Sequence, residues 1–266
     1  MNERQVIVYK DTYAMNSAVA YRAVLEMGDV IARRGRVDVA LTGGRDSVDI
    51  YLKMASFPQK DLLDWSKVHL WWSDERFVSA EDGERNSLQA RQCFDKDVFS
   101  EGNALAEGHI HEMPADPRTP EQVAAATDEE NEEYLIRAAQ SYQDEIIKEI
   151  GPDGHMDLAV FGVGPDGHYA SLFPDRPEVL ITDESKLVVG VSHSPKLPPL
   201  RLTMTNPFIR RTPKVWLFTS TKEKARAVSQ ALAGVDNPHV PSSFARGTEQ
   251  TLWLLDKDAA DELQYV

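Results

Sequence analysis

Leu158-Ala159-Val160-Phe161-Gly162-Val163-Gly164-Pro165-Asp166-Gly167-His168 is the stretch on which the fold turns. Leu158–Val163 is a continuous apolar run of strand length, and a strand without polar alternation is buried on both faces of its sheet. Such burial requires helices above and below, and the flanking sequence supplies them. Upstream, the pattern predicts a strand over Val6–Tyr9 and a helix over Asp11–Arg34 that stops at Gly35. A strand over Val37–Leu41, a helix from Asp46, a strand over Val68–Trp72 and a helix over Arg85–Phe94 follow. Thr119-Pro120-Glu121-Gln122 is a capping box with proline at the first helical position. It predicts one long helix with the apolar row Leu135, Ala138, Tyr142, Ile146 and Ile150, and the acidic run Asp128–Glu133 in its N-terminal half.

Downstream, strands are predicted over Leu187–Val191, Leu200–Thr205, Val215–Thr219 and Thr251–Leu255, and helices over Thr221–Ala233 and Asp256–Leu263. Strands that alternate with helices predict an α/β, three-layer domain around a mostly parallel sheet. No repeat and no Ser/Gly linker divides the chain, so residues 1–266 read as a single domain.

A chain of 266 residues closes a core without staples. The single cysteine, Cys93, excludes an internal disulfide and a thiolate zinc cage, and its helical setting reads as a small buried hydrophobe. The start Met1–Gln5 is polar, and the longest unbroken apolar stretch, Leu158–Gly164, falls far short of the ~20 residues of a membrane span. A cytoplasmic protein without a membrane partner is expected. The net charge of -14, from 29 basic and 43 acidic side chains with no Lys/Arg block, argues against nucleic acid. An acidic chain repels acidic metabolites at long range. An anionic substrate therefore needs cations gathered at its site.

In parallel α/β sheets ligands bind beyond the carboxyl ends of the strands, and four strand ends carry unusual chemistry. Thr42-Gly43-Gly44-Arg45 offers backbone N–H groups to an anion at a helix start, or is a plain tight turn. Ser73-Asp74-Glu75-Arg76 is either an anion contact through Arg76 or an internal ion pair that fixes the loop. Gly162 to Pro174 packs three glycines around His168, the histidine whose context suits a proton-transfer base. Ser194 to Thr203 holds Lys196 and Arg201 around stiffening prolines. His109-Ile110-His111 alternates as a strand does and could present a metal pair, but no third ligand lies at a recognisable spacing, so no metal is expected. The absence of Gly-x-Ser-x-Gly argues against a serine α/β hydrolase. The absence of Gly-x-Gly-x-x-Gly after the first strand argues against a dinucleotide.

Together these motifs resemble the 6-phosphogluconolactonases of the glucosamine-6-phosphate isomerase/6-phosphogluconolactonase family. The resemblance rests on Thr42-Gly43-Gly44, Trp72 to Val78, Gly162 to Pro174 and Ser194 to Thr203, in that order. Asn86, Met113-Pro114 and Leu252 to Asp256 support it. It implies a three-layer Rossmann-like domain as in glucosamine-6-phosphate deaminases. It also implies hydrolysis of 6-phospho-D-glucono-1,5-lactone without metal or organic cofactor. Separately, a monomer or weak homo-oligomer is expected. By motif match His168 is the general base and Asp166 orients it. Arg76, Lys196 and Arg201 line the phosphate site, and Gly43 and Gly44 serve either the phosphate or the oxyanion. The chain departs from the family at Arg45-Asp46-Ser47, where Ser-Thr-Pro is frequent, and at Tyr169, where Thr is common. Arg45 either adds a phosphate contact or sits outward.

Two rival readings remain. A sugar-phosphate isomerase or deaminase of this fold keeps an acid at the position of Asp74, but follows its Asp-Gly-His with a glutamate that Tyr169 to Pro174 lacks. A non-catalytic sugar-phosphate sensor would keep the cations and could dispense with His168.

Overall fold

A computed structural model describes residues 3–94 and 104–263. Met1 and Asn2 of the polar start lie outside the described residues. The strands are β1 (Arg4–Tyr9), β2 (Val37–Leu41), β3 (Val68–Trp72), β4 (Asp74–Arg76), β5 (Ile110–His111), β6 (Leu158–Gly162), β7 (Val188–Val191), β8 (Arg201–Met204), β9 (Lys214–Thr219) and β10 (Gln250–Asp256). The α-helices are α1 (Thr12–Arg34), α2 (Arg45–Ser56), α3 (Asn86–Cys93), α4 (Pro120–Ala125), α5 (Asp128–Ile150), α6 (Asn206–Ile209) and α7 (Ala225–Ala233).

The apolar run at Leu158 forms the middle strand of a seven-stranded sheet, ordered β1, β10, β9, β6, β2, β3, β5 and parallel at every pairing. Every residue of β2 and β3 is buried, including the polar Asp38 and His69, as strands covered by helices on both faces require. Helix α1 starts where Asp11 accepts from the Ala14 N–H and ends at Gly35 in the left-handed conformation, φ 77°. β6 touches β2 only through Val39 opposite Leu158 and Ala40 opposite Ala159. From β2 the chain winds to β3 and β5; from β6 it winds the other way to β9 and β10. The carboxyl ends of β2 and β6 thus flank the switch point where α/β folds leave a crevice.

Four expectations are corrected. The capping box at Thr119 opens only α4. Ala126 is extended, and a second capping box between Thr127 and Glu130 starts α5, which carries the apolar row. Asp128, Glu129 and Glu130 therefore lie in a first turn, where the helix dipole favours them. Over Asp256–Leu263 turns replace the predicted helix; the Asp256 carboxylate is instead a hub that accepts from the Thr12 hydroxyl and from the Thr221 and Ala259 N–H groups. The helix predicted from Thr221 begins at Ala225, after a 3-10 turn over Lys222–Lys224. Finally, β7 and β8 leave the main sheet and form an antiparallel sheet in the order β4, β8, β7. Helix α5 packs so closely on it that a Cβ at Gly190 would stand 2.5 Å from Leu135 Cβ.

Among the described residues no helix is long and apolar enough to cross a membrane. Glu75 resolves one ambiguity of the second motif. It is fully buried, and its carboxylate accepts from the N–H groups of Arg76, Asn86 and Ser87 at 2.7, 2.7 and 2.9 Å, with the buried Arg85 guanidinium 3.8 Å away. Burial raises its pKa while these partners oppose the shift. Glu75 is the internal clamp that fixes β4 to the start of α3. Glu75→Ala should cost about 2–4 kcal/mol of stability, because it leaves two buried helix-start N–H groups and the Arg76 N–H without their acceptor and removes one of the two carboxylates beside Arg85. Urea unfolding checks this; a loss under about 1 kcal/mol would refute the clamp.

Candidate active site

At the end of β2 the chain passes through Thr42, Gly43 and Gly44 into α2. Gly44 has φ 107°, which disfavours any side chain. A Cβ at Gly43 would stand 1.8 Å from Asn86 Oδ1, so only glycine lets Asn86 approach. Asn86 Nδ2 donates to the Asp74 carbonyl at 3.0 Å, and this closes the first motif onto the second. The Asp74 carboxylate accepts from the Ser171 hydroxyl at 2.7 Å and from Thr42 Oγ1 at 3.4 Å. Ser171 therefore reaches Asp74 from the segment where a deaminase carries its acid.

Beyond β6, the loop folds back through a Gly164 N–H to His168 carbonyl bond of 2.9 Å. A Cβ at Gly164 would collide with the His168 ring at 2.1 Å, so this glycine makes room for the imidazole. His168 Nδ1 lies 2.5 Å from Asp166 Oδ1, and Lys196 Nζ lies 3.8 Å from the same oxygen. Burial pushes the Asp166 carboxyl up, but the hydrogen bond and charge of His168 and the charge of Lys196 outweigh it and hold it at about 2. Asp166 is thus an anion that accepts a hydrogen bond from His168 Nδ1–H, which leaves the lone pair on Nε2.

The small antiparallel sheet joins the second and fourth motifs. Arg76 and Arg201 stand directly opposite each other on β4 and β8. Like charges in that register oppose pairing unless something anionic lies near. Arg201 is buried, which lowers its pKa, and donates to the Lys196, Leu197 and Pro198 carbonyls at 3.0 to 3.1 Å. It thereby shapes the loop that presents Lys196, in which the Leu197–Pro198 bond is cis. Arg76 binds the Glu84 carbonyl at 2.7 Å.

These strand ends enclose a cavity of about 250 Å³ whose wall includes Gly43, Gly44, Asp74, Arg76, His168, Lys196, Arg201 and Lys224. Asp166 backs His168 from the loop. Arg45 is exposed at the first position of α2 and does not line the cavity. Tyr169 is fully buried behind the loop, with its hydroxyl on Asn206 Oδ1. The sequence reading missed Lys224, whose ammonium is made easier to deprotonate by burial. The signal was present, because Ser220 to Lys224 directly follows β9 and so obeys the same strand-end rule. Cys93 is buried, with its thiol toward the Gln89 carbonyl.

Residues 10–253 match the family described as glucosamine-6-phosphate isomerases/6-phosphogluconolactonase. A 6-phosphogluconolactonase of Streptomyces coelicolor is 38% identical over 264 residues, 97% of this chain and 94% of its own. The solved 6-phosphogluconolactonase from Trypanosoma cruzi superimposes with a TM-score of 0.82 at 19% identity, over 99% of this chain and 98% of that one. A monomeric glucosamine-6-phosphate deaminase shares the fold with a TM-score of 0.68 at 18% identity, over 97% of this chain and 99% of its own. With the four motifs converging on one cavity and the match running nearly end to end, the chain belongs to the glucosamine-6-phosphate isomerase/6-phosphogluconolactonase family.

Proposed function

We propose that this protein hydrolyses 6-phospho-D-glucono-1,5-lactone to 6-phospho-D-gluconate, a step of the oxidative pentose phosphate pathway. The observation that carries the reading is the His168–Asp166 pair at a cavity walled by four cationic side chains, in a chain of net charge -14. The name borne by the Streptomyces coelicolor relative supports it.

A lactone is an activated ester, so its hydrolysis needs a base for water and a place for the oxyanion. His168 Nε2 takes a proton from water as the oxygen attacks C1, while Asp166 steadies the imidazolium through Nδ1. The tetrahedral intermediate collapses, the bond from C1 to the ring oxygen breaks, and His168 returns the proton to that oxygen. Lys196, Lys224, Arg76 and Arg201 hold the phosphate and so fix the distant C1. The Gly43 and Gly44 N–H groups face whichever anion lies at the start of α2, phosphate or oxyanion. Arg45, exposed outside the cavity, has no part in this reading. The enzyme works in the cytoplasm as a monomer or weak homo-oligomer, apart from membranes and nucleic acid, as its acidic surface suits.

Freshly generated lactone, followed by proton release against its spontaneous opening, tests the reaction. Wild type should accelerate hydrolysis. His168→Ala should lose about 10²–10⁴-fold in kcat while still binding 6-phosphogluconate. A folded wild type without acceleration would remove the lactonase reading and leave the sugar-phosphate sensor.

Lys196→Ala should raise KM more than it lowers kcat, since a phosphate grip is shared by ground and transition states; an unchanged KM would take Lys196 out of the phosphate site. The Asp166 carboxyl titrates only near 2, so Asp166 is ionised throughout the neutral range. Asp166→Asn removes the negative charge that steadies the imidazolium, and kcat should fall by about tenfold or more while KM changes less. An unchanged kcat would show that Asp166 does not act on the base.

A further inference from the structure

Two histidines outside the cavity meet by tertiary contact. His69 is the second residue of β3 and His111 the last of β5, and both are buried. His69 Nδ1 lies 3.0 Å from His111 Nε2. The far nitrogen of His111, Nδ1, lies 2.7 Å from Glu145 Oε1 on α5. One turn further along the helix, Glu149 brings a carboxylate oxygen close, and ligand atoms of His69, His111 and Glu149 all lie within 4.8 Å of one another. The rings are fixed from both sides. Trp71 stacks on His111 at 3.8 Å and His109 stacks on His69 at 3.7 Å.

We propose that His69, His111 and Glu149 form a site for one divalent transition-metal ion of the zinc class, separate from the catalytic cavity. The ion would tie β3, β5 and the end of α5 together. Two imidazoles and a carboxylate are a donor set such ions accept. Two nitrogens each ~2.0–2.1 Å from one tetrahedral zinc ion stand roughly 3.3 Å apart, so the 3.0 Å pair needs to open by only a few tenths of an ångström to admit it. Glu145 accepts a hydrogen bond from His111 Nδ1–H and so leaves the Nε2 lone pair facing inward, the carboxylate–histidine arrangement found behind metal ligands.

The surrounding charge suits a cation. Arg34 binds Asp157 and Asp38, and Arg36 binds Asp38. Glu145 and Glu149 leave carboxylates in excess even with the exposed Lys148 counted. Arg36 Nη1, 3.7 Å from Glu149, is the contact an ion would loosen. Glu149 also borders a solvent-open cleft shared with Arg36 and His155, which gives an entry path and room for a water ligand.

The competing arrangement is a metal-free chain in which His69 Nδ1–H donates to His111 Nε2. The full chain, stripped with chelator and then given Zn²⁺ alone, separates the two by metal content after gel filtration and by calorimetry. Wild type should hold one ion, and His168→Ala, which lacks the catalytic imidazole, should hold it as well. Glu149→Ala, altered at a partly exposed side chain, should keep its circular dichroism spectrum and bind about tenfold or more weakly. Glu145→Gln should lose about 10–100-fold. Zn²⁺ should raise the Tm of wild type and not that of Glu149→Ala. No retained ion in wild type, an ion lost in His168→Ala but kept in Glu149→Ala, or equal retention by all variants would each overturn the site in favour of the hydrogen-bonded pair.

Discussion

The cavity depends on how briefly β2 and β6 touch. Two residue pairs, Val39 with Leu158 and Ala40 with Ala159, are all that join the two halves of the parallel sheet. Beyond them the strands part, because the chain leaves β2 toward one edge and β6 toward the other. No crossover helix can cover that gap, since each belongs to one winding direction. Thr42-Gly43-Gly44 and Gly162 to Gly164 are the lips of the opening. Glycine is needed on both because Asn86 and the His168 ring occupy the space a Cβ would take.

The switch point alone would give a crevice without a cationic wall. The second sheet supplies the wall by antiparallel pairing, which brings Arg76 and Arg201 into register although 125 positions separate them in sequence. Juxtaposed guanidinium groups cost energy in the empty protein. Part of that cost is offset by the Lys196, Leu197 and Pro198 carbonyls around Arg201 and by Glu84 beside Arg76. Glu75 holds the strand in place from behind, so the fourth side chain of Ser73-Asp74-Glu75-Arg76 faces the cavity while the third faces the core.

The core of this arrangement was legible in the sequence for a physical reason. Unbroken apolar strands announce burial on both faces, and their carboxyl ends are where polar chemistry collects. His168, Lys196, Arg76, Gly43 and Gly44 stand at the strand ends that rule marks and line the cavity, Asp166 enters through the family resemblance alone, and Lys224 obeys the rule too. What escaped was decided by contacts the chain does not carry locally. Thr119 and Thr127 both cap well, and the extended pair Ala126 and Thr127 separates two helices from one. Asp256 to Leu263 has a helical pattern, but the Asp256 carboxylate is committed to Thr12, Thr221 and Ala259. Arg45 reads in sequence as either a phosphate contact or an outward side chain, and as the exposed first residue of α2 it takes the second course.

The histidines show why residue type alone could not assign function. His168 sits at a carboxyl strand end with one carboxylate on Nδ1 and an open cavity on its other side, so its second nitrogen is available to a substrate. His111 has the same kind of partner, Glu145 on Nδ1, but its second nitrogen faces another imidazole inside the protein. The orienting carboxylate is common to both, and what differs is what the remaining lone pair meets. Facing a cavity, that lone pair can move a proton between water and substrate. Facing His69 within reach of Glu149, it can only share a proton or a cation with its neighbours. In sequence the two settings differ by the residues around them: glycines beside His168 leave a void, whereas Trp71 and the stacked ring of His109 fill the space around His69 and His111.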